Sequence, residues 1–327
     1  MRINKLIFTL AVFSLLFIYS CEGGIETGEV QSTGFDGVNM RFADYPTNEI
    51  YKGDQFSFNV ELNNEGFYTS QKTLLVIKDP PTTYFERKGG NAVDIVQDFP
   101  GQNQIPQGSF RGPYYNNYLV KLIPGGLSRQ PIPFAATLCY DYETEASLLL
   151  CVGKSENEEQ CKKEVESDNL KILSNGQGSP IAVTSLEYSL NPVEDGTKHI
   201  ARIIFTLENK GRGIPYKNQG SAAGDSVDIA CSALPGKDLI NTVDYEINLG
   251  TDSRYSSLTG KAEGLNCNPQ KLRFDDKTKS AKITCIQDSN KGFPAGNTVK
   301  FGAHISLDYV YQEGQSISFN FRDPDIS

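Results

Sequence analysis

The chain has 327 residues, 38% hydrophobic and 10% aromatic, enough for more than one packed core. Its formal charge is −9, and setting aside Arg2 and Lys5 near the N-terminus leaves 29 basic against 40 acidic residues. That balance speaks against nucleic acid, which needs clustered Lys and Arg on phosphate, and against a polybasic hold on a membrane surface.

Residues 1–20 read as an export signal: Arg2 and Lys5 precede an apolar stretch from Leu6 to Tyr19, short for a membrane span. Ile18-Tyr19-Ser20-Cys21 resembles a bacterial-type lipobox, with Tyr19 where that box carries a small residue. The resemblance implies lipidation at Cys21 and a membrane partner held through an N-terminal lipid. Ordinary cleavage nearby and an uncleaved anchor are the competing readings. Residues 21–35, rich in Gly, Glu and Thr, read as a flexible tether.

The body is strand-like. Phe56, Phe58, Val60 and Leu62 alternate with polar residues, and Asn64-Glu65-Gly66 supplies a turn. A strand over 73–79 stops at Pro80-Pro81. Residues 80–131 then read as a long insertion carrying Tyr84, Phe85, Phe99, Phe110, Tyr114, Tyr115 and Tyr118 among Gly and Pro. Tyr84, Phe85, Phe110, Tyr114, Tyr115 and Tyr118 are a candidate surface for a protein or glycan partner. The competing reading packs these rings onto their own domain. Residues 155–166 carry the one helical signal, a capping box of Ser155 and Glu158 on a charged surface helix.

SNGQGSP, residues 174–180, has linker composition. After it come the short apolar runs SLEYSL, ARIIFTLENKG, DSVDIAC, KLRF, AKITCI, VKFGAHISLDYVY and SISFNF, all read as strands. The chain also repeats itself. Phe58–Gly66 matches Ile203–Gly211, and Leu138–Ser147 matches Leu307–Ser316, in the same order. The expected fold is all-β: two tandem antiparallel Ig-like β-sandwich domains, 36–173 and 181–327, joined by the 174–180 linker.

The Asn-x-Gly after an amphipathic strand resembles the CARDB-type Ig-like modules of archaeal and bacterial surface proteins. With "CYDYETEASLLLC", "GQGSPIAV" and "CNPQKLRFDDKTKSAKITC", the chain is similar to uncharacterised surface lipoproteins of small-genome archaea. That resemblance implies location and fold, and no catalytic residue.

Beyond Cys21, six cysteines remain: Cys139, Cys151, Cys161, Cys231, Cys267 and Cys285. Each half holds three, so full pairing within one chain demands a bridge between the halves. Cys267 and Cys285 flank a hairpin-like segment. Cys151 with Cys161 leaves Cys139 for Cys231. The rival scheme joins Cys139 to Cys151 and Cys161 to Cys231.

Recognisable chemistry is absent from the sequence. There is no Gly-x-Ser-x-Gly elbow, P-loop, full dinucleotide fingerprint or EF-hand spacing. His199 and His304 stand alone in strands, and no close Cys or His spacing suits zinc. No cofactor, metal or catalytic residue is expected. The function expected is an exported, membrane-tethered, non-enzymatic protein on the outer face of the membrane, used for adhesion, envelope structure or accessory binding. A substrate-capturing subunit for a transporter or secreted enzyme is the alternative.

Overall fold

Two strands organise the molecule. β8 (Gln130–Val152) and β17 (Val299–Arg322) run antiparallel and pair from Val299↔Val152 to Phe321↔Gln130. At 23 and 24 residues they far exceed the usual ~3–10. Their sequences sustain it by strict alternation: every even residue of β8 from Ile132 to Leu150 is buried. In β17 the odd residues from Phe301 to Glu313, then Phe319 and Phe321, are buried in the same way.

The structure is a computed structural model; it describes residues 33–123, 130–152, 158–193, 196–218, 225–231, 236–251, 265–288, 293–294 and 298–322. The Cys21 lipidation site and the 1–20 signal lie outside them, as does all but the end of the 21–35 tether.

Around the long pair grows one sheet. β4 (Ser70–Lys78) pairs with β8, and β6 (Val93–Phe99) with β4. On the other flank β12 (Thr242–Thr251) pairs with β17, and β14 (Leu272–Arg273) with β12. β11 (Ile214–Lys217) and β2 (Ile50–Tyr51) add to β17, the latter in parallel. Two smaller antiparallel sheets complete the fold. One runs β1-β3-β7-β5: Val38–Ala43, Gln55–Asn64, Ser109–Val120 and Phe85–Gly89. The other centres on β10 (Lys198–Asn209), flanked by β9 (Ile181–Pro192), β15 (Ser280–Gln287) and the two-residue β16 (Phe293–Pro294), with β13 (Leu265–Asn268) on β15.

The small sheets face opposite ends of the long pair. Phe56 and Phe58 of β3 meet Phe134 of β8 at 5.5 and 5.7 Å, and Phe319 at the far end of β17 at 5.4 and 5.8 Å. Leu148 and Leu150 of β8, with Ile305 and Leu307 of β17, share the core with Ile203, Phe205 and Leu207 of β10. Each half therefore completes its sandwich with the end of the other half's long strand. The fold is an all-β antiparallel sandwich, and 32–327 is one compact unit with a continuous core, where two tandem bodies were expected. Alternation alone does not reveal which strand a long strand will pair with, so the shared sheet was not visible in the sequence.

Where the small sheets meet, the buried positions of the long pair change character. Tyr140, Tyr142 and Thr144 of β8 and Tyr309, Tyr311 and Glu313 of β17 occupy the middle. Tyrosine suits this seam: its ring packs as apolar surface, and its hydroxyl satisfies backbone groups of the turns that fill the gap.

Of the 174–180 segment, Ser174 and Asn175 end a helix and residues 176–180 are one of those fillings, not a linker. Gln177 and Ser179 are buried. Gly178 accepts from Phe67 N at 2.7 Å and donates to Gly34 O at 2.9 Å, and Pro180 O accepts from Lys210 N at 2.8 Å. Gly178 sits at φ +65°, where a Cβ would fall 2.3 Å from that of Phe67. Its composition reflects close backbone approach rather than flexibility.

Three further expectations change. The 80–131 "insertion" contains β5, β6 and β7, two of them in the first small sheet. The single β17 covers VKFGAHISLDYVY and SISFNF together. DSVDIAC forms a helix, α2 (Asp225–Cys231), and not a strand; its Val227 and Ala230 are buried at helical spacing in so short a run that periodicity is ambiguous. The charged helix is present as α1 (Glu158–Asn175), which runs past the expected end at 166; Ser155 of the capping box lies outside the described residues. Asn169 of α1 donates to Leu149 O at 2.8 Å and accepts from Leu149 N at 2.7 Å, acting as a strand partner for the open edge of β8.

Candidate functional site

The repeat noted in the sequence is a hydrogen-bonded lock, made twice at the seam. In one copy, Tyr142 OH donates to Asn64 Oδ1 (3.3 Å) and accepts from Tyr68 N (3.2 Å), while Asn64 Nδ2 donates to Tyr68 O (3.0 Å). In the other, Tyr311 OH donates to Asn209 Oδ1 (2.8 Å) and accepts from Gly213 N (2.9 Å), while Asn209 Nδ2 donates to Gly213 O (2.9 Å). Glycine is required between them: a Cβ on Gly66 would lie 1.9 Å from Tyr142 OH, and one on Gly211 2.2 Å from Tyr311 OH. Thus Asn-x-Gly and Tyr-x-Tyr, far apart in sequence, are two sides of one contact.

Beside the second lock opens a cavity of about 330 Å³. Its floor is Tyr140, Tyr311 and Glu313; its walls are the lead-in to β1 at Asp36 and Gly37, the turn at Glu65, and Pro180. Lys210 and Arg212 stand at its rim, both exposed. Glu65 is held by Asn39 Nδ2 and Asn63 Nδ2, each at 2.7 Å. Lys210 pairs with Glu208. Burial pushes the Tyr140 and Tyr311 hydroxyls far above the usual phenol range, so both stay protonated donors. Glu313 is 7% exposed and receives Gln315 Nε2 on Oε1 at 3.2 Å. The sequence carried a signal for it. Glu313 follows six inward positions of β17, Phe301 to Tyr311, that are all apolar or tyrosine, and neither it nor Asp36 is among the candidates read from the sequence.

The six aromatic candidates do not form one patch. Phe85 and Tyr118 are core residues; Tyr118 OH donates to Asp79 Oδ1 at 2.7 Å, and the Arg87 guanidinium lies 5.1 Å from its ring. Tyr84 and Tyr114 are half-buried against the same core. Phe110 and Tyr115 are exposed, on the outer face of β7 opposite Asn63 and Asn59. The rings are divided because the first small sheet sends side chains to both of its faces, and the register shift of β7 opposite Val60–Leu62 brings Phe110 and Tyr115, five residues apart, onto the same outer face.

The cysteines pair Cys139–Cys231, Cys151–Cys161 and Cys267–Cys285. The first ties β8 to α2, which covers Leu74, Tyr216 and Val310 on the outer face of the central sheet. Lys72 Nζ–Asp228 at 2.8 Å and Gln312 Nε2→Ala230 O at 2.8 Å hold the same helix. Three bridges in one chain belong to an oxidising, extracellular environment.

His304 Nδ1 lies 2.9 Å from Ser147 Oγ, its cross-strand neighbour, and Nε2 lies 4.0 Å from Glu145. His199 lies in β10, and its Nδ1 is buried with no hydrogen-bond partner among the described residues. Among the described residues no His, Cys, Asp or Glu group is arranged to hold a metal ion, and no helix is long and apolar enough to cross a membrane.

No family model and no curated protein matches the chain. A DUF4466 family protein from Parabacteroides merdae aligns at 8% identity over 78% of this chain and 99% of that one, with a TM-score of 0.18. The BSP domain of a biofilm-associated protein aligns at 10% identity over 86% of this chain and 52% of that one, with a TM-score of 0.14. Likenesses of this strength carry no argument about fold or function.

Proposed function

We propose that the chain is an exported, membrane-tethered, non-enzymatic surface protein serving adhesion, envelope structure or accessory binding. The observation that carries this reading is the shared sheet. β8 and β17 pair across both halves, and Cys139–Cys231 crosses between them, so the two sandwiches have no hinge. A block of this kind suits a spacer or a presented surface better than a clamp that closes on its ligand. The disulfides fit an extracytoplasmic location. The resemblance of residues 18–21 to a lipobox supports an anchor at Cys21, and the resemblance to archaeal surface lipoproteins supports the same placement.

Metabolic labelling with a lipid precursor tests the anchor. Wild type takes up label and fractionates with membranes; Cys21→Ser does neither. Label retained on that variant, or cleavage mapped elsewhere, removes the tethering from the proposal.

One observation favours the second reading, a substrate-capturing subunit. The cavity beside Tyr140 and Tyr311 lies where the halves meet and is lined by charge.

A further inference from the structure

The internal repeat supplies a control for the cavity. Leu138–Ser147 matches Leu307–Ser316, so Thr144 is the counterpart of Glu313 and Tyr309 that of Tyr140. Val38 pairs with Asn64 as Ile181 pairs with Asn209, which makes Ser179 the counterpart of Asp36. On the Thr144 side the polar groups close on one another. Thr144 Oγ1 lies 2.5 Å from Ser179 Oγ and 3.1 Å from Tyr309 OH, and donates to Ile181 O at 2.9 Å. That triad is buried and complete.

On the other side the same three positions hold Glu313, Asp36 and Tyr140, and they surround open space. Glu313 is more than nine-tenths buried and lines this space, so its carboxylate is turned towards the cavity and not towards open solvent. Among the described residues Glu313 forms no ion pair, and its one side-chain hydrogen bond comes from the neutral amide of Gln315 to Oε1. Oε2 accepts no hydrogen bond among the described residues. Gly37 keeps the space clear: a Cβ there would fall 2.6 Å from Tyr140 OH.

We propose that this cavity binds a primary ammonium group, seated on the Glu313 and Asp36 carboxylates beside the Tyr140 hydroxyl. An ammonium brings three donors to acceptors the protein leaves open. Among the described residues no three His, Cys, Asp or Glu side chains are gathered to hold a metal ion, so an organic cation is the better match to two carboxylates. Aromatic rings in the floor favour an organic cation further. Exposed Arg212 at the rim is placed to meet a carboxylate on the same ligand. The ammonium therefore has two sources, a simple amine or an amino acid. The inference deepens the capture reading and is independent of the anchor, since labelling at Cys21 and occupancy of the cavity succeed or fail separately.

The test is calorimetric titration of the detergent-solubilised full chain with butylammonium chloride, norleucine and sodium butyrate. Saturable binding of butylammonium or norleucine at one per chain, with none for butyrate, is expected. Tighter norleucine binding identifies the amino acid as the source, and tighter butylammonium binding the simple amine. Glu313→Gln weakens binding at least tenfold, while Glu143→Gln, the same charge change on the outer face, leaves it within twofold. If Glu313→Gln lowers the melting temperature sharply, Asp36→Asn, at an exposed position, carries the comparison and also weakens binding. The absence of saturable amine binding, equal binding of butyrate, or full binding by both cavity variants overturns the proposal.

Discussion

The two sandwiches solve one packing problem in different ways. The first is filled by rings: Phe134 contacts Phe56, Phe58, Phe85, Tyr118, Phe319 and Phe321 at centroid distances of 5.2–6.4 Å, mostly tilted or edge-on. The second is filled largely by aliphatic residues such as Ile203, Leu207, Ile283, Ile305 and Leu307, and its small sheet is stapled by Cys267–Cys285. Aromatic pairs add directional attraction to buried area, whereas the aliphatic core relies on area and a covalent clip. What both halves share is the lock at the seam, while the identity of the filling differs.

The largest expected effect comes from the ring cluster. Phe134→Ala should cost about 3–5 kcal/mol in chemical denaturation. Because β8 runs through both sandwiches, the loss should appear in a single cooperative transition. Two separated transitions would break the shared-core comparison.

Next is the bridge between the halves. Cys139→Ala with Cys231→Ala should cost about 2–4 kcal/mol, and about 1 kcal/mol more than removing Cys267–Cys285. The sequence separations of 92 and 18 set that order, since the longer loop is the more constrained when unfolded. Equilibrium unfolding of both double variants measures it; a reversed order would show that the local clip, not the crossing bridge, is the stronger constraint.

The locks come third. Tyr142→Phe and Tyr311→Phe each leave a buried asparagine and a backbone N–H short of a partner, at about 1–3 kcal/mol. The two values should agree within about 0.5 kcal/mol. A silent variant on one side would show that the repeat is one of shape alone.

The smallest effect is on the outer face of the long pair. Glu143 lies directly opposite Asp308, and burial, then Glu145, Asp308 and Asp141, pushes its carboxyl above the usual range. A carboxyl with a raised folded-state pKa binds its proton more tightly when folded. Its penalty is fully present above that raised value and fades as pH falls towards the unfolded value. Glu143→Gln should therefore stabilise by about 0.5 kcal/mol or less at neutral pH, and the gain should vanish in acid. Thermal melts at two pH values read it; a gain that persists unchanged in acid assigns it to something other than charge.

The sequence by itself determined many of the strands, because period-two alternation follows directly from the pleat: β3 and β10 are legible residue by residue, and β17 is legible as two shorter pieces. It determined the repeat, since Asn-x-Gly and Tyr-x-Tyr recur in order, and it required a bridge between the halves by counting three cysteines in each. It left open which cysteines pair. Tertiary structure decided what local pattern cannot encode. β8 chose β17 over a strand of its own half, Gly-rich 176–180 became buried filling, and α2 became a helix against the sheet to which Cys231 is tied. The cavity belongs to the same class. Glu313 is visible in the sequence as a misplaced acid, but only the meeting of two halves puts Asp36 and Tyr140 beside it, because burial and proximity are properties of the folded sheet and not of any one strand.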